Sequence, residues 1–210
     1  MQSHAAYAHP RAERGSRDRQ TSPCKNALQS IHNAAKTRER ILAVARIRFS
    51  LHSYEIVGTR DIATDAGVDT ALVNRYFGSK EQLFAEVIQG GFDIEEHLPA
   101  RMEDLGAHLV AQVLANDAVD AETFNALSVL LRAIGNPVIA PMVSLRLHEE
   151  FVEALAKRLK SRDTEARAAL IASYVIGLAT MRHGLSSPAL SGAAGRKAGK
   201  IAAAAIQACV

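Results

Sequence analysis

Between Thr59 and Lys80 the chain gathers the residue types that hydrogen-bond to nucleic acid. An asparagine amide such as that of Asn74 can pair bidentately with adenine, the Thr70 hydroxyl can serve several bases, and the Ala71 methyl can meet the methyl of thymine. Arg60 is the candidate for a guanine contact, since a guanidinium spans the two acceptors of that base. Thr59, Tyr76 and Lys80 are the candidates for holding phosphate, helped by backbone N–H groups at helix starts, and Arg75 points outward within reach of the same backbone. Taken singly, each could equally be a solvated surface residue. Tyr76 can do two things at once, packing its ring and presenting its hydroxyl.

The elements that would position these residues are legible from spacing. Gly58 or Thr59 caps a short helix in which Ile62, Ala63 and Ala66 face inward. Gly67 permits the left-handed backbone of a tight turn, and Val68 anchors that turn. Asp69 caps a second short helix in which Val73, Tyr76 and Phe77 share a side at i, i+3, i+4. Gly78 ends it, and Ser79 with Gln82 forms the capping box of the next helix. Two short helices joined by a glycine turn make a helix-turn-helix, whose second helix enters the major groove with its N-terminal residues toward base edges. Upstream, Ile41, Leu42, Ala45 and Phe49 recur at helical spacing, with Thr37 as the expected N-cap.

Beyond Gly90-Gly91 the pattern predicts helices near residues 102–115, 121–134, 141–160, 164–185 and 195–209. Breakers such as Asn116-Asp117, Gly135-Asn136-Pro137 and Ser186-Ser187-Pro188 separate them. There is no strand alternation and no internal repeat, so the expected fold is all-α. Three segments are expected: a flexible basic tail over residues 1–34, a helix-turn-helix domain over 35–89 and a helical domain over 90–210.

Composition agrees with this outline. The 210 residues are 48% hydrophobic but only 5% aromatic, with no tryptophan, a mix that suits packed helices. Two cysteines, Cys24 and Cys209, cannot build a disulfide scaffold or a cysteine-based zinc site. The net charge of +3 is concentrated: residues 1–36 carry six basic and two acidic side chains, residues 37–89 seven of each, and residues 90–210 twelve basic and thirteen acidic. The tail's Arg11, Arg14, Arg17, Arg19 and Lys25 could follow a DNA backbone or simply solubilise. A neutral reading head can still bind DNA if Asp61, Asp65, Glu81 and Glu86 fall on other faces. No secretory signal is seen, and the most apolar stretch, residues 168–181, is too short to span a bilayer, so a cytoplasmic protein without a membrane role is expected.

Enzyme chemistry finds no foothold. The eight histidines are scattered without an HExxH pattern. The run His148-Glu149-Glu150 places neighbours on different sides of a helix, which suits a solvated face better than a metal site. Phosphate-binding glycine loops and nucleophile elbows are missing. No catalytic residue, metal or cofactor is expected.

The stretch 37–88 resembles the DNA-binding domain of the tetracycline-repressor (TetR) family of bacterial transcription regulators. The residues that carry the resemblance are Thr37, Ile41, Ala45, Phe49, Tyr54, Thr59, Ile62-Ala63, Ala66-Gly67-Val68, Tyr76-Phe77, Ser79-Lys80 and Leu83. The remainder is similar in length and pattern to that family's helical ligand-binding and dimerisation domain. The sequence departs from the pattern at Ser53, where glycine is usual, and at Asn74, where many members carry a tyrosine that touches the DNA backbone.

The resemblance implies a homodimer that binds a palindromic operator in double-stranded DNA and lets go when a small-molecule effector binds. It assigns the last two helices, with Leu170, Tyr174, Leu178, Ile201 and Ala205, to the dimer interface, although periodicity alone allows an intrachain core. It assigns an effector pocket to the middle helices, where Phe124, Leu127, Leu131, Met142, Leu145, Phe151 and Met181 could line it or be plain core. A repressor is expected. An activator, a ligand-independent regulator and a helical small-molecule-binding protein without DNA binding are the competing readings.

Overall fold

The computed structural model describes residues 23–115, 124–160 and 162–210, and the side chains from residue 31 onward within them. The chain divides into two units, residues 1–36 and 37–210. Most of the expected tail, residues 1–22, lies outside the described residues. No strand occurs among those described.

Helix α1 spans Pro23–Leu51, so it begins inside the segment expected to be a tail, and Thr37 is an interior residue instead of its N-cap. The physical reason is local. Pro23 sits at the first helical position, where its missing N–H costs nothing, and the Ala- and Lys-containing sequence up to Thr37 holds no breaker. Helices α2 (Thr59–Asp65), α3 (Thr70–Phe77) and α4 (Lys80–Val87) follow. Then come 3-10 turns at Ile94–His97 and Met102–Asp104, the second running into α5 (Leu105–Ala115). Helix α6 (Ala126–Ala133) starts later than expected because the Asn125 side chain caps it, accepting the N–H of Ser128 at 2.8 Å. Helix α7 (Ala140–Leu147) widens into a π-helical turn, His148–Glu153, before α8 (Ala154–Ala156). Helix α9 (Thr164–Ala179) ends in a second π-helical turn, Thr180–Gly184, and α10 (Gly192–Gln207) comes last. No helix among the described residues is long and apolar enough to cross a membrane.

Two cores hold residues 37–210 together. The first joins Ile41, Phe49, Tyr54, Ile62, Val73, Phe77 and Phe84 of the reading head to Val129 and Ala133 of α6, to Ile139 just before α7 and to Val143 within it. Packing therefore does not stop at Gly90-Gly91. The second core joins Leu105 and Leu109 of α5, Phe151, Val152 and Leu155, Ile171 of α9 and Ile206 of α10.

Helices α5 and α10 approach so closely that a side chain on Gly106 has no room. An added Cβ would lie 2.1 Å from the Ala203 carbonyl oxygen and 3.0 Å from the Gln207 nitrogen, both backbone atoms. The Gln207 amide finishes the joint, its oxygen accepting the Gly106 N–H at 3.0 Å and its nitrogen donating to the Met102 carbonyl at 3.1 Å. Neither helix backbone can yield locally, so Gly106→Ala should cost about 3 kcal/mol, the upper end of ordinary overpacking. In a domain of this size that is a fall in Tm of about 6–12 °C. A thermal melt shifted by less than about 2 °C would mean that α5 and α10 separate freely.

Candidate nucleic-acid interface

The recognition unit is built from local hydrogen bonds that the sequence dictates. Gly58 is the N-cap of α2; lacking a side chain, it supplies only its N–H, which the Asp61 carboxylate accepts at 3.0 Å. Gly67 has φ +62°, the left-handed conformation that an L side chain resists, and the turn closes as Val68 N–H donates to the Ala63 carbonyl at 3.0 Å. Asp69 caps α3 by accepting the Ala71 N–H at 2.7 Å. The Ser79 and Gln82 capping box is present in both directions, at 3.2 and 3.0 Å. Inside, Ile62, Ala63, Ala66, Val73 and Phe77 are buried. The opposite side of α3 is thereby turned outward.

On that side Ala71, Asn74 and Arg75 are exposed and Thr70 and Tyr76 are half-buried, while on α2 Arg60 is exposed and Thr59 half-buried. Thr70 and Asn74 are four apart and Ala71 and Asn74 three apart, so the three form one face. Among the described residues, the side chains of Arg60, Asn74 and Arg75 have no hydrogen-bond or ion-pair partner. They are free to meet a ligand. Lys80 differs: its ammonium donates to the Tyr54 carbonyl and lies 4.1 Å from the centre of the Tyr54 ring. Burial pulls its pKa below the ordinary lysine value, against the attraction of Glu55 and Glu81. One N–H is committed, and the others remain for phosphate.

The acidic residues of the head are all but one spoken for. Asp65 pairs with Arg48 at 2.6 Å and Glu86 with Arg38, whose guanidinium also lies over the Phe77 ring. Glu81 accepts the Tyr54 hydroxyl at 2.8 Å, Asp61 and Asp69 accept backbone N–H groups, and Glu55 accepts the Asn136 amide. Hydrogen bonds hold the pKa of Asp65, Glu81 and Glu55 below the ordinary carboxylate values, that from Arg48 being the chief cause at Asp65. Tyr54 is pushed the other way, by burial first and then by its bond to Glu81. These pairs are too exposed to add much stability, but they occupy the carboxylates. The neutral reading head therefore keeps Arg60 and Arg75 uncommitted.

Sequence reasoning missed this pairing because its partners are far apart in the chain. It also missed the polar ties between the head and the helices behind it. The Ser50 hydroxyl accepts the Asn125 N–H at 2.9 Å, and the buried Asn136 oxygen accepts the N–H groups of Val138 and Ile139 while its amide reaches Glu55. Only the Asn-Pro breaker around Asn136 hinted at a special role.

The residues expected to line an effector pocket are spread over both cores, the surface and a groove. Phe124, Leu127 and Met142 pack on the first core and Phe151 belongs to the second. Leu131 is half-buried beside Gly184. Leu145 is 56% exposed, because it lies nearly opposite the buried Val143 on α7. Met181 lines a groove of about 370 Å³ with Ser173, Tyr174, Gly177, Leu178 and Leu190. Two of those, Tyr174 and Leu178, were expected at the dimer interface instead. Leu170, Tyr174 and Ile201 are 51%, 43% and 73% exposed, so they are not intrachain core, and Leu178 and Ala205 are half-buried. No group of three or more metal-ligating side chains occurs among the described residues.

Comparison with known proteins bears on both halves. Residues 41–87 match the family of bacterial regulatory proteins known as the tetR family, and residues 103–210 match the tetracyclin repressor-like C-terminal domain. No curated protein is significantly similar in sequence. A TetR-family regulator from Streptomyces coelicolor A3 is 28% identical, with 83% of this chain and 94% of that one covered at a TM-score of 0.50. One match covers the recognition unit and its supporting helices, the other just over half of the chain, and the chain belongs to the TetR family of bacterial DNA-binding regulators.

Proposed function

We propose that the protein is a homodimeric repressor that binds a palindromic operator in the cytoplasm and is released by a small-molecule effector. Thr70, Ala71 and Asn74 read base edges from the N-terminal face of α3, and Arg60 takes a guanine. Thr59, Arg75, Tyr76 and Lys80 hold the phosphates that fix the docking register. The observation that carries this reading is the uncommitted state of Arg60, Asn74 and Arg75 beside carboxylates that already have partners. A single recognition helix spans few base pairs, so two copies on a symmetric site supply the affinity and the spacing. Leu170, Tyr174, Leu178, Ile201 and Ala205 form the interface, which accounts for large apolar side chains left bare in one protomer. The effector acts by favouring a separation of the two heads that no longer matches successive major grooves.

Titration of a DNA fragment from upstream of its own gene tests the reading. The expected shift is sequence-specific and weakens steeply with salt, the log–log slope falling by about one unit per phosphate contact. A protein that shifts no fragment, or shifts all fragments alike, is not an operator-binding regulator.

A further inference from the structure

We propose that Glu150 is a positioning residue for the reading head, coupling it to the regulatory helices. Its carboxylate accepts the backbone N–H groups of Gly90 at 2.9 Å and Phe92 at 3.1 Å. Those two donors lie just beyond α4, where Gly90 has φ +73° and Gly91 packs on Phe124. Alternate N–H groups around a left-handed residue form a concavity that favours an anion, and here a side-chain carboxylate from sixty residues away occupies it. Hydrogen bonds to an ionised acceptor are about twice as strong as neutral ones. The exit of α4 is thus held by the opposite half of the chain.

Glu150 reaches that position from the π-helical turn His148–Glu153. A π turn is a poorer hydrogen-bonding arrangement than an α turn and persists where side-chain placement requires it. Phe151, Val152 and Leu155 anchor this region in the second core against Ala168, Ile171 and Ala172 of α9. The far side of α9 presents Ser173, Tyr174, Gly177 and Leu178 to the groove. A displacement of α9 therefore moves the π turn, and returning the turn to α-helical register rotates the Glu150 carboxylate away from Gly90 and Phe92. The coupling rests on the reading that the head binds DNA.

The test uses the full-length protein, with amide hydrogen exchange at residues 90–92 and affinity for the upstream DNA fragment measured side by side. Glu150→Ala should speed exchange at Gly90 and Phe92 about tenfold, the size of a lost bond to a charged group, and weaken DNA binding several-fold. Glu150→Gln keeps one acceptor and should fall between. Glu149→Ala, which removes only a surface pair with Arg146, should behave as wild type. Wild-type exchange in Glu150→Ala overturns the latch whether or not DNA binds. Faster exchange, or a lower Tm, with unchanged DNA affinity overturns the coupling and leaves a merely structural bond. A wild-type protein that shifts no DNA disproves the operator reading instead, and the coupling falls with it.

Discussion

Replacing Asn74 with alanine should abolish discrimination at one operator position while leaving the fold intact. Asn74 is exposed, and its side chain bonds to no other described residue. The substitution should thus shift Tm by no more than a degree or two, within the range of ordinary surface changes. A bidentate base contact is worth about 1–3 kcal/mol, and a symmetric dimer makes it twice. The expected loss is about 2–6 kcal/mol, or roughly 30-fold to 20,000-fold in operator affinity. Asparagine is neutral, so the salt slope should not change. Arg60→Ala should give a comparable loss, again with relaxed specificity at its own position. Lys80→Ala should look different, lowering affinity for all sequences and also Tm, because that ammonium is tied to the Tyr54 carbonyl and ring. Gel-shift titration against the operator and a set of single-base variants separates these patterns. An Asn74→Ala protein that keeps full affinity and full discrimination removes α3 from base reading.

What leaves the cations of the head free for DNA lies outside the recognition helix. Arg38 and Arg48 on α1 reach across to Glu86 and Asp65, and Tyr54 reaches Glu81. A head with equal numbers of acidic and basic side chains can then present a cationic face, since all but one of the acids are engaged and Arg60 and Arg75 are not. Net charge over the segment carries none of this information.

The short-range grammar of the head was legible. Gly58, Gly67, Asp69, Gly78 and the Ser79–Gln82 box act within four residues of themselves, and each does in space what its type and position imply. Apolar periodicity located α5, α9 and α10 for the same reason. Three things were not legible. The start of α1 at Pro23 was hidden because the sequence there carries no apolar periodicity to betray a helix. The π turns at His148–Glu153 and Thr180–Gly184 leave no mark on a 3.6-residue pattern. The partners of Glu150, Asn136 and Ser50 are set by tertiary packing across 58 or more residues. A pocket lining was not legible either, because apolar residues at helical spacing serve cores and cavities alike, and Leu145 is largely exposed.

Dimerisation gives the second large effect. Ile201 is 73% exposed in the protomer, and the adjacent Ala202 lines the groove beside Tyr174 and Leu178. Ile201→Glu should leave the protomer able to fold, since the side chain touches little within its own chain. In a two-fold interface the substitution appears on both sides, and each unpaired carboxylate removed from water costs several kcal/mol. The variant should sediment as a monomer at micromolar concentration. With the second head no longer held near its half-site, operator affinity should fall about 100-fold to 10,000-fold even though every DNA-contacting residue is intact. Leu145→Glu provides the contrast. Leu145 is 56% exposed, so the change is as well tolerated in the protomer, but it lies on α7 and not on α9 or α10. It should remain dimeric and bind normally. If Leu145→Glu dissociates while Ile201→Glu stays paired, the interface belongs to the middle helices, and the bare apolar face of α9 and α10 needs another occupant.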